Sequence, residues 1–586
     1  MREQGNKLRI KEIETEVLVV GGGGAGVRAA IECASREVPC MLVSKGQITQ
    51  TGITPLAQSA LTAAIAHEDD GDSPEQHFKD IVLAGKFLSD QDLLEVLTEE
   101  APACVEELAS FGVRFKKENS RYFQARHPGH SSARTLLIKG GGWELMRALK
   151  KEMSKHGPFI HLFEDALVTR LFTKDRRITG AAVLDLRKGE IYLVCCKAVI
   201  LAAGGSGRLW SLTDNPPEST GDGFHLAYHA GAELIDMELM LWYPGVICSP
   251  SSLRGTILPY EELLPSPRLQ GKLVNVAGKE ILDSEKVPPR DRVIALILEE
   301  LRGGWGTENG GVYLDLVSGS QSREEVERAL LEIMPEKYRY VKRGGIDLAE
   351  ERVEVAPAAH FHLGGIDIGE EGQTSVRGLF AAGENSGNIH GTNRLSGNAL
   401  TETQVFGKLA GISAAKYAHN HFLPAQEQEL LKEEIEELNK YFKNKGVLHP
   451  RDIQDKIREI MGNYLGFYRE ADGLKQALSE FEWVREELFP QVAVPVLRSF
   501  NLGWKEMIEA KVMLENGQMV ARAAQMRKET RGHHYRWDYP ETDNRNWLKH
   551  TLVKKVKGSP AASSKPVKIT KMPIPHEEGW DNSEKR

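Results

Sequence analysis

The chain has 586 residues, and at roughly 150 residues per domain this length suggests three or four domains. Hydrophobic residues make up 41% of the sequence and charged residues 27%, a composition typical of soluble globular proteins. The formal net charge of −8 and the pI near 6.2 argue against a nucleic-acid-binding protein, which usually carries a basic domain. An anionic substrate stays open, because one buried arginine can outweigh the field of the whole protein.

Neither a membrane span nor a secretory signal is predicted. The sequence has no stretch of about 18 apolar residues, the length that crosses a bilayer as a helix. The N-terminal stretch MREQGNKLRIKEIETEV lacks the apolar core of a signal peptide. We therefore expect a cytoplasmic protein, and any association with a membrane would come through a partner.

The six cysteines show none of the spacings that ligate iron–sulfur clusters or metals. We therefore predict no metal site in this chain and interpret Cys33 and Cys40 as core residues. If electrons leave the chain one at a time, the redox centre that accepts them has to lie on another subunit. The cysteines are Cys33, Cys40, Cys104, Cys195, Cys196 and Cys248.

The N-terminal region has the pattern of a strand, a glycine-rich turn, a helix and a second strand. EVLVVG (16–21) and PCMLVSK are short apolar runs typical of strands buried on both faces. The turn contains Gly21-x-Gly23-x-x-Gly26, in which the glycines permit a tight turn, close approach of a pyrophosphate and close helix packing. The diphosphate would lie at the positive end of the helix dipole. Ser44 stands where NAD-binding proteins carry an acid, which favours FAD over NAD.

Two later segments have the pattern of further strands of the same domain. KAVILAAGG (197–205) and RGLFAAGENSGNIHG (377–391) are apolar runs that end in small residues, where backbone can approach a ligand closely. The nucleotide-binding domain is therefore predicted to be discontinuous, with residues 240–354 as an inserted piece. Helical patterns between residues 424 and 528 predict a bundle. The stretch from residue 557 onward, rich in Pro, Ser and Lys, predicts an extended tail able to order on a partner.

Together these motifs resemble one family. The sequence is similar to the flavoprotein subunits of succinate dehydrogenase and fumarate reductase, and to L-aspartate oxidase, up to about residue 551. The resemblance implies an α/β fold: a Rossmann-like FAD-binding domain (1–239 and 355–423) with an inserted α+β capping domain (240–354), a helical domain (424–530) and a small C-terminal region with a tail (531–586). The matching stretches are VVGGGGAGVRAAIE, SKG, STGDGFHLAYHAGAELIDMEL, GGVYLDL, PAAHFHLGGI, GLFAAGENSGNIHGTNRLSGNAL and RKETRGHHYRWDYPETDNRNWLKHTL.

The resemblance implies roles for three residues around the substrate. Arg290, in PPRDRVIALIL, matches the arginine that donates a proton; because guanidinium stays protonated in proteins, this role rests on the resemblance alone. Arg394, in GTNRLSGNAL, matches the arginine that clamps a substrate carboxylate. His360, in PAAHFHLGG, matches a histidine that bonds a carboxylate, and His362 is a secondary candidate. The structural alternatives are an ion pair or helix cap for Arg290, an ion pair for Arg394 and a core histidine for His360.

The family binds FAD through residues that are spread along the chain. Glu384 matches an acid near the ribityl chain, and Ser396, Asn398 and Leu400 match the segment at the pyrimidine end of the flavin. A helix that begins there would stabilise the negative charge of the reduced ring. Asp222 is a further candidate, or a turn-forming residue. The full set of predicted FAD contacts is Gly21, Gly23, Gly24, Ala25, Gly26, Ser44, Lys45, Thr51, Gly52, Ala57, Gln58, Ala203, Gly204, Asp222, Glu384, Asn393, Ser396, Asn398 and Leu400.

Three departures from the family pattern bear on the cofactor and the substrate. No histidine lies near Ile53, where succinate dehydrogenase attaches FAD covalently, so we expect non-covalent FAD and a reductase or oxidase. Trp242-Tyr243-Pro244 replaces Phe-His-Pro, so Tyr243 offers a hydrogen bond but no positive charge. RGTILPYEELLPSPRLQGKL replaces the segments with the family's Thr and Glu substrate contacts and the acid of the proton relay. The candidate replacements are Arg254, Glu261 and Glu262. One carboxylate pocket is thus expected to be kept and the other rebuilt, for a dicarboxylate analogue.

The leading hypothesis is a flavoprotein subunit that resembles fumarate reductase. Hydride would pass between flavin N5 and a carbon–carbon double bond of a small carboxylic acid, with Arg290 as proton donor. Arg394 and His360 would hold a carboxylate, and Tyr243 would complete the site. Electrons would arrive from an iron–sulfur subunit. The alternatives are an amino-acid oxidase of the L-aspartate oxidase type, which needs no partner, and an FAD electron-transfer or assembly subunit with another substrate or none.

Overall fold

The computed structural model describes residues 10–57, 60–425, 428–444 and 446–574. Its strands are β1 (Ile10–Glu14), β2 (Val17–Val20), β3 (Cys40–Val43), β4 (Ala60–Thr62), β5 (Lys117–Glu118), β6 (Arg121–Tyr122), β7 (Gln124–Ala125), β8 (Thr135–Leu137), β9 (Ile160–Phe163), β10 (Ala166–Lys174), β11 (Arg177–Asp185), β12 (Glu190–Cys195), β13 (Ala198–Leu201), β14 (Leu234–Ile235), β15 (Met240–Ser249), β16 (Lys272–Val274), β17 (Val312–Asp315), β18 (Val353–His362), β19 (Gly365–Ile366), β20 (Leu379–Ala381), β21 (Tyr468–Arg469), β22 (Tyr535–Arg536), β23 (Lys549–Val556) and β24 (Ser559–Pro566). Its α-helices are α1 (Gly24–Ala34), α2 (Pro74–Ala84), α3 (Gln91–Phe111), α4 (Gly141–Lys155), α5 (Asp222–Ala230), α6 (Tyr260–Leu263), α7 (Arg290–Arg302), α8 (Arg323–Ile333), α9 (Pro335–Arg343), α10 (Asn398–His419), α11 (Gln428–Lys440), α12 (Pro450–Tyr464), α13 (Ala471–Trp483), α14 (Leu502–Met526) and α15 (Asn544–Trp547).

A parallel sheet in the order β20-β13-β2-β3-β9 holds the glycine-rich turn. Every residue of β2 is buried, as a valine-rich run predicts for a strand covered on both faces. The two returning strands predicted from the sequence are confirmed, because β13 pairs in parallel with β2 and β20 pairs in parallel with β13. Their carboxyl ends therefore meet the first turn at one edge of the sheet, where open α/β sheets bind ligands.

The inserted region forms an antiparallel sheet in the order β15-β18-β17-β16, flanked by α7, α8 and α9. We call this region the cap. It has its own hydrophobic core, which includes Val246, Leu273 and Val293. Strand β18 runs across the predicted boundary at residue 354 and leads from the cap sheet towards the nucleotide-binding part. The domain boundaries themselves stay predictions.

The predicted helical region is confirmed as α11 to α14, in which α12, α13 and α14 pack against one another. Their facing apolar residues, such as Ile457, Phe481 and Met513, are completely buried. A further sheet, β1-β12-β11-β10, in which β1 pairs parallel with β12 and the other pairs are antiparallel, joins this core through residues such as Leu193. In the described part of the chain, none of the helices combines the length and the apolarity needed to span a bilayer.

The prediction of an extended tail from residue 557 onward is wrong for the residues described. Ser559–Pro566 form β24, which pairs antiparallel with β23 along its whole length. After it, Gln91 on α3 binds the backbone of residues 570–572. The Pro, Ser and Lys content led to the wrong prediction because β24 is an edge strand, and edge strands tolerate Pro and Lys. Residues 575–586, the rest of the predicted tail, lie outside the described residues.

Candidate active site

A cavity of about 1540 Å³ lies between the carboxyl edge of the nucleotide sheet and the cap. One wall consists of the turn between β2 and α1, together with residues that follow β3 and β13. The other wall comes from cap residues in the ranges 254–262 and 287–291. The predicted nucleotide-binding edge and the inserted region therefore face each other across one space.

The turn between β2 and α1 has the geometry that its glycines predict. Gly21 has φ +119°, and a Cβ there would stand 2.1 Å from the Ala202 carbonyl oxygen. A Cβ on Gly26 would stand 1.9 Å from the Gly21 carbonyl oxygen, so this glycine lets α1 pack against the strand. Helix α1 begins at Gly24, which places its N-terminal N–H groups at the cavity wall, where they suit a diphosphate.

Lys45, just after β3, is held by three acceptors. Its Nζ donates to Thr220 Oγ1 at 2.8 Å, Asp222 Oδ2 at 2.7 Å and Glu509 Oε1 at 2.9 Å. Burial lowers the pKa of Lys45, but the two carboxylates raise it by more, so the net shift is upward and the ammonium stays charged. Asp222 Oδ1 is buried and has no hydrogen-bond partner among the residues described. An unpartnered carboxylate oxygen at the cavity wall suits a ribose hydroxyl.

Glu384 and Asn385 shape the part of the cavity that follows β13. Asn385 Oδ1 accepts from the Ala203 N–H at 2.6 Å, and its Nδ2 donates to the Gly204 carbonyl at 2.7 Å. Glu384 Oε1 accepts from the His362 backbone N–H at 2.8 Å. Burial raises the pKa of Glu384 to about 8, so the carboxyl is largely protonated near neutral pH. A protonated carboxyl that lines the cavity can donate a hydrogen bond to a sugar-like hydroxyl.

The start of α10 also lies at the cavity. Ser396 and Leu400 line it, and Ser396 Oγ is 3.2 Å from Nδ1 of His127. The helix begins at Asn398, so the predicted helix start is confirmed. The Asn398 side chain itself lies outside the cavity lining, and its Oδ1 accepts from His77 Nε2 at 3.0 Å. Asn398 therefore stabilises the start of α10 through this contact with His77 and does not face the cavity.

Most of the predicted FAD contacts line this cavity. Gly26 and Asn398 do not, and Gln58 lies outside the described residues. Ile53, in the segment 51–57 that contains no histidine, also lines the cavity. The predicted contacts in the lining are Gly21, Gly23, Gly24, Ala25, Ser44, Lys45, Thr51, Gly52, Ala57, Ala203, Gly204, Asp222, Glu384, Asn393, Ser396 and Leu400.

On the cap side, Arg290 is the first residue of α7 and pairs with Glu261. Arg290 Nη2 donates to Glu261 Oε1 at 2.8 Å, and only 13% of either side chain is exposed. The Tyr243 hydroxyl donates to Glu261 Oε2 at 2.5 Å, so this hydroxyl is already engaged, contrary to the expectation that it serves a substrate. Burial lowers the pKa of Arg290 but Glu261 raises it by more, and the net shift is upward. Of the three candidate replacements for the family acid, Glu261 is the one that contacts Arg290.

Opposite this pair, Arg394 contacts His360, which in turn contacts Asp214. Arg394 Nη2 lies 3.1 Å from His360 Nε2, and His360 Nδ1 lies 2.6 Å from Asp214 Oδ2. Arginine has no acceptor, so His360 Nε2 accepts and Nδ1 carries the proton donated to Asp214. His360 therefore positions Arg394 in this geometry. His362, the secondary candidate, lies outside the cavity lining, with its Nδ1 2.8 Å from Ser206 Oγ.

Arg290 and Arg394 line one cavity, and each has guanidinium nitrogens without a hydrogen-bond partner in the described part of the chain. Nε and Nη1 of Arg290 and Nε of Arg394 are buried without hydrogen-bond partners in the described part of the chain. The Tyr243 ring connects the two sides, since it lies 5.0 Å from the Arg290 guanidinium and 5.4 Å from the His360 ring. A buried donor without a partner costs about 1–3 kcal/mol, more when charged. An acid bound between the two arginines would offer acceptors that reduce this cost.

Four residues of this site were missed by reasoning from the sequence. Asn385 adjoins a predicted contact, and Asp214 follows an apolar segment in a polar loop, so both had a weak local signal. Glu509 and Lys337 had none, because each belongs to an amphipathic helix far along the chain. Lys337, on α9, lines the cavity, and burial lowers its pKa to about 8.

Two family models and several known proteins match most of the chain. The family described as "FAD binding domain" matches residues 16–400, and the one described as "Fumarate reductase flavoprotein C-term" matches residues 454–579. The chain is 36% identical over 553 residues to a subunit of the fumarate reductase (CoM/CoB) of Methanothermobacter marburgensis, covering 92% of this chain and 97% of that protein. It is 31% identical over 559 residues to L-aspartate oxidase of Streptomyces coelicolor, covering 92% of each. The solved structure of Mycobacterium smegmatis Sdh1 in complex with UQ1 is 30% identical, with a TM-score of 0.87 and 95% of each chain covered.

Proposed function

Because the chain belongs to the family of FAD-dependent flavoprotein subunits of fumarate reductases and succinate dehydrogenases, which act on CH–CH groups, we propose that it reduces the double bond of a small unsaturated carboxylic acid. The observation that carries this proposal is the pair of buried guanidinium groups with unused donors, Arg290 and Arg394, in one cavity. Planar guanidinium groups suit bidentate contact with carboxylates. The substrate class is therefore an acid whose carboxylate lies next to the double bond.

The arginines have different roles in this proposal. Arg394, positioned by His360 and Asp214, holds the carboxylate and stabilises the negative charge that develops on it. FAD, when bound, supplies the hydride that adds to one carbon of the double bond. Arg290 delivers a proton to the other carbon, so the C=C bond becomes a CH–CH bond. Because Glu261 raises the pKa of Arg290, the proton leaves only towards a strongly basic, carbanion-like carbon.

Glu261 completes the proton route. It contacts both Arg290 and the Tyr243 hydroxyl, so it can return a proton to the arginine after each turnover. In this proposal Glu261 takes the place of the acid in the proton relay, which the replaced segment of the cap no longer provides. Tyr243 then acts on Glu261 and not on the substrate.

We further propose that FAD is held non-covalently and that its electrons come from an iron–sulfur subunit. The cavity segment 51–57 contains no histidine, which supports the first point. The six cysteines are buried and lack cluster-ligand spacing, and the relative in Methanothermobacter marburgensis is named as one part of a larger enzyme, which supports the second.

The proposal is tested anaerobically with FAD-loaded protein and reduced viologen. Fumarate or another unsaturated acid should reoxidise the viologen, and Arg290→Gln should lower the rate by about 10³-fold or more while FAD stays bound. Arg292→Gln, two residues further along α7 and exposed, is the matched control and should behave as the native protein. If Arg290→Gln keeps its activity, the assigned proton donor is wrong. Peroxide formation from L-aspartate in air, without reduction of unsaturated acids, would instead favour an L-aspartate oxidase activity.

A further inference from the structure

Away from the active site, two histidines and a glutamate converge where α5 packs against α14. His225 and His229 lie one turn apart on α5, so their side chains project from the same face of the helix. Oε2 of Glu515, on α14, lies 2.9 Å from His225 Nδ1 and 2.6 Å from His229 Nε2. One ligand atom from each residue can be chosen so that all three lie within 4.8 Å of one another.

Two imidazoles and one carboxylate form a donor set that divalent transition metals prefer. Zn²⁺ binds such nitrogen and oxygen atoms at about 2.0–2.2 Å in a tetrahedral site, which sets the donors roughly 3.4 Å apart. The present contacts of 2.6 and 2.9 Å would therefore have to widen by less than about 1 Å. A change of this size is within the reach of side-chain rotation.

A second, separate observation is the cavity that opens onto this cluster. It has a volume of about 520 Å³, and both His225 and His229 line it. Glu434, on α11, also lines it. The cavity therefore leaves room for water or a further carboxylate to complete the coordination of an ion. A cluster sealed within the core would not offer this.

The charges and tautomers around the histidines are compatible with an ion. Imidazole binds metals through a ring nitrogen that carries no proton. Lys555 donates to His229 Nδ1 at 3.0 Å, which leaves the ring proton on Nε2. Lys555 is exposed on β23, so its side chain can turn to water when the proton moves to Nδ1 and Nε2 binds the ion.

We propose that His225, His229 and Glu515 bind one divalent transition-metal ion with the preferences of Zn²⁺. The cysteine spacings predicted no metal site, but they do not reveal histidine and carboxylate ligands. The ion would connect α5 to α14. Since α5 begins at Asp222 and α14 carries Glu509, both partners of Lys45, it would stabilise the wall of the FAD cavity without contacting the substrate site.

The test is a Zn²⁺ titration of FAD-loaded, chelator-treated protein against a chromophoric competitor. We expect one equivalent to bind, and His229→Gln and Glu515→Gln each to weaken binding by about tenfold or more. His419→Gln, an exposed histidine at the end of α10, is the control and should bind Zn²⁺ as the native chain does. FAD content and circular dichroism confirm that each variant is folded.

Substitution of Co²⁺ for Zn²⁺ gives a second readout, because its visible spectrum reports ligand geometry and should change in His225→Gln. The proposal is overturned if the protein fails to take one equivalent of Zn²⁺ from the competitor. It is also overturned if the three ligand variants bind Zn²⁺ as the control does. Neither readout uses the enzymatic activity, so the outcome does not depend on the proposed function.

Discussion

The two arginines of the active site differ in how their charges are paired. Arg290 has the Glu261 carboxylate at 2.8 Å, whereas the hydrogen-bond partners of Arg394 within the described chain are a backbone carbonyl and His360. Burial and the neighbouring Arg290 lower the pKa of Arg394 to about 10. Arg394 is therefore the group that gains most from an arriving carboxylate, while Arg290 is already compensated and is available for proton transfer.

The pairing of Arg290 leads to the first prediction. Glu261→Gln keeps the shape of the side chain but removes the carboxylate that takes part in the proton route. We expect kcat of the viologen-coupled reduction to fall by about 10²-fold or more, with KM changed by less than about threefold, because Arg394 still holds the substrate. Glu285→Gln, exposed in the cap, is the matched control. An unchanged kcat would exclude Glu261 from proton transfer.

The second prediction concerns the protonated carboxyl of Glu384. Its pKa rises from 4.5 to about 8 because it is buried, so between these values the folded state binds more protons than the unfolded state. The free energy of unfolding must then fall as pH rises through this window. At about 1.4 kcal/mol per pKa unit, the effect amounts to a few kcal/mol at most.

Urea unfolding of FAD-free protein between about pH 5 and pH 8 measures this effect. The side chain in Glu384→Gln cannot ionise. The urea midpoint of this variant should therefore fall less between about pH 5 and pH 8 than that of the native protein. Glu371→Gln, exposed and some distance along the chain, should keep that decline. Parallel curves for the native protein and Glu384→Gln would show that this carboxyl is ionised in the folded state.

At the level of elements, α14 is the helix that connects the bundle with the cofactor cavity. Its Glu509 accepts from Lys45, and Asn516 Nδ2 lies 3.1 Å from the Thr220 carbonyl and 2.9 Å from that of Gly221. Those carbonyls immediately precede Asp222, the first residue of α5. The position of the Asp222 carboxylate at the cavity wall therefore depends on a helix from another part of the chain.

Asn516→Ala provides the third prediction. Loss of the amide leaves two buried carbonyls without this donor, which costs about 1–3 kcal/mol, and it frees the turn before Asp222. We expect FAD to dissociate about tenfold more readily, as measured by recovery of flavin fluorescence on dilution. Arg522→Ala, exposed on the same helix, should leave FAD affinity unchanged. Equal affinity in both variants would mean that α14 does not shape the cofactor site.

The same elements show what could be predicted from the sequence. The strands around the glycine-rich turn and the start of α10 follow from local patterns, because apolar runs and glycines carry their own signal. The partners of the charged side chains do not: Glu509 lies 464 residues from Lys45, and Asp214 lies 146 residues from His360. Such pairs arise from tertiary packing. For the same reason the sequence left three candidates for the acid of the proton relay. Only the folded cap shows that Glu261 is the one that contacts Arg290.

On the scale of the whole molecule, the substrate cavity lies between separate hydrophobic cores. The nucleotide sheet has one core and the cap has another, and the cavity with its two arginines lies where they meet. Regions with their own cores can move as units. The site is therefore assembled by contacts between regions, and the C-terminal segment adds a further contact of this kind by returning to α3.

One buried side chain makes four of the hydrogen bonds that hold this segment, and it is the basis of the last prediction. Gln91 is fully buried; its Oε1 accepts from the backbone N–H groups of Thr570, Lys571 and Met572, and its Nε2 donates to the Met572 carbonyl at 2.9 Å. Gln91→Ala removes all four bonds, so residues 567–574 should open locally more often. Trypsin should then cut after Lys568 and Lys571 about tenfold faster, as followed by mass spectrometry. Glu95→Gln removes only the exposed ion pair with Lys571 and should change the rate by less than about twofold. Equal rates in the two variants would show that the buried amide of Gln91 does not hold this segment.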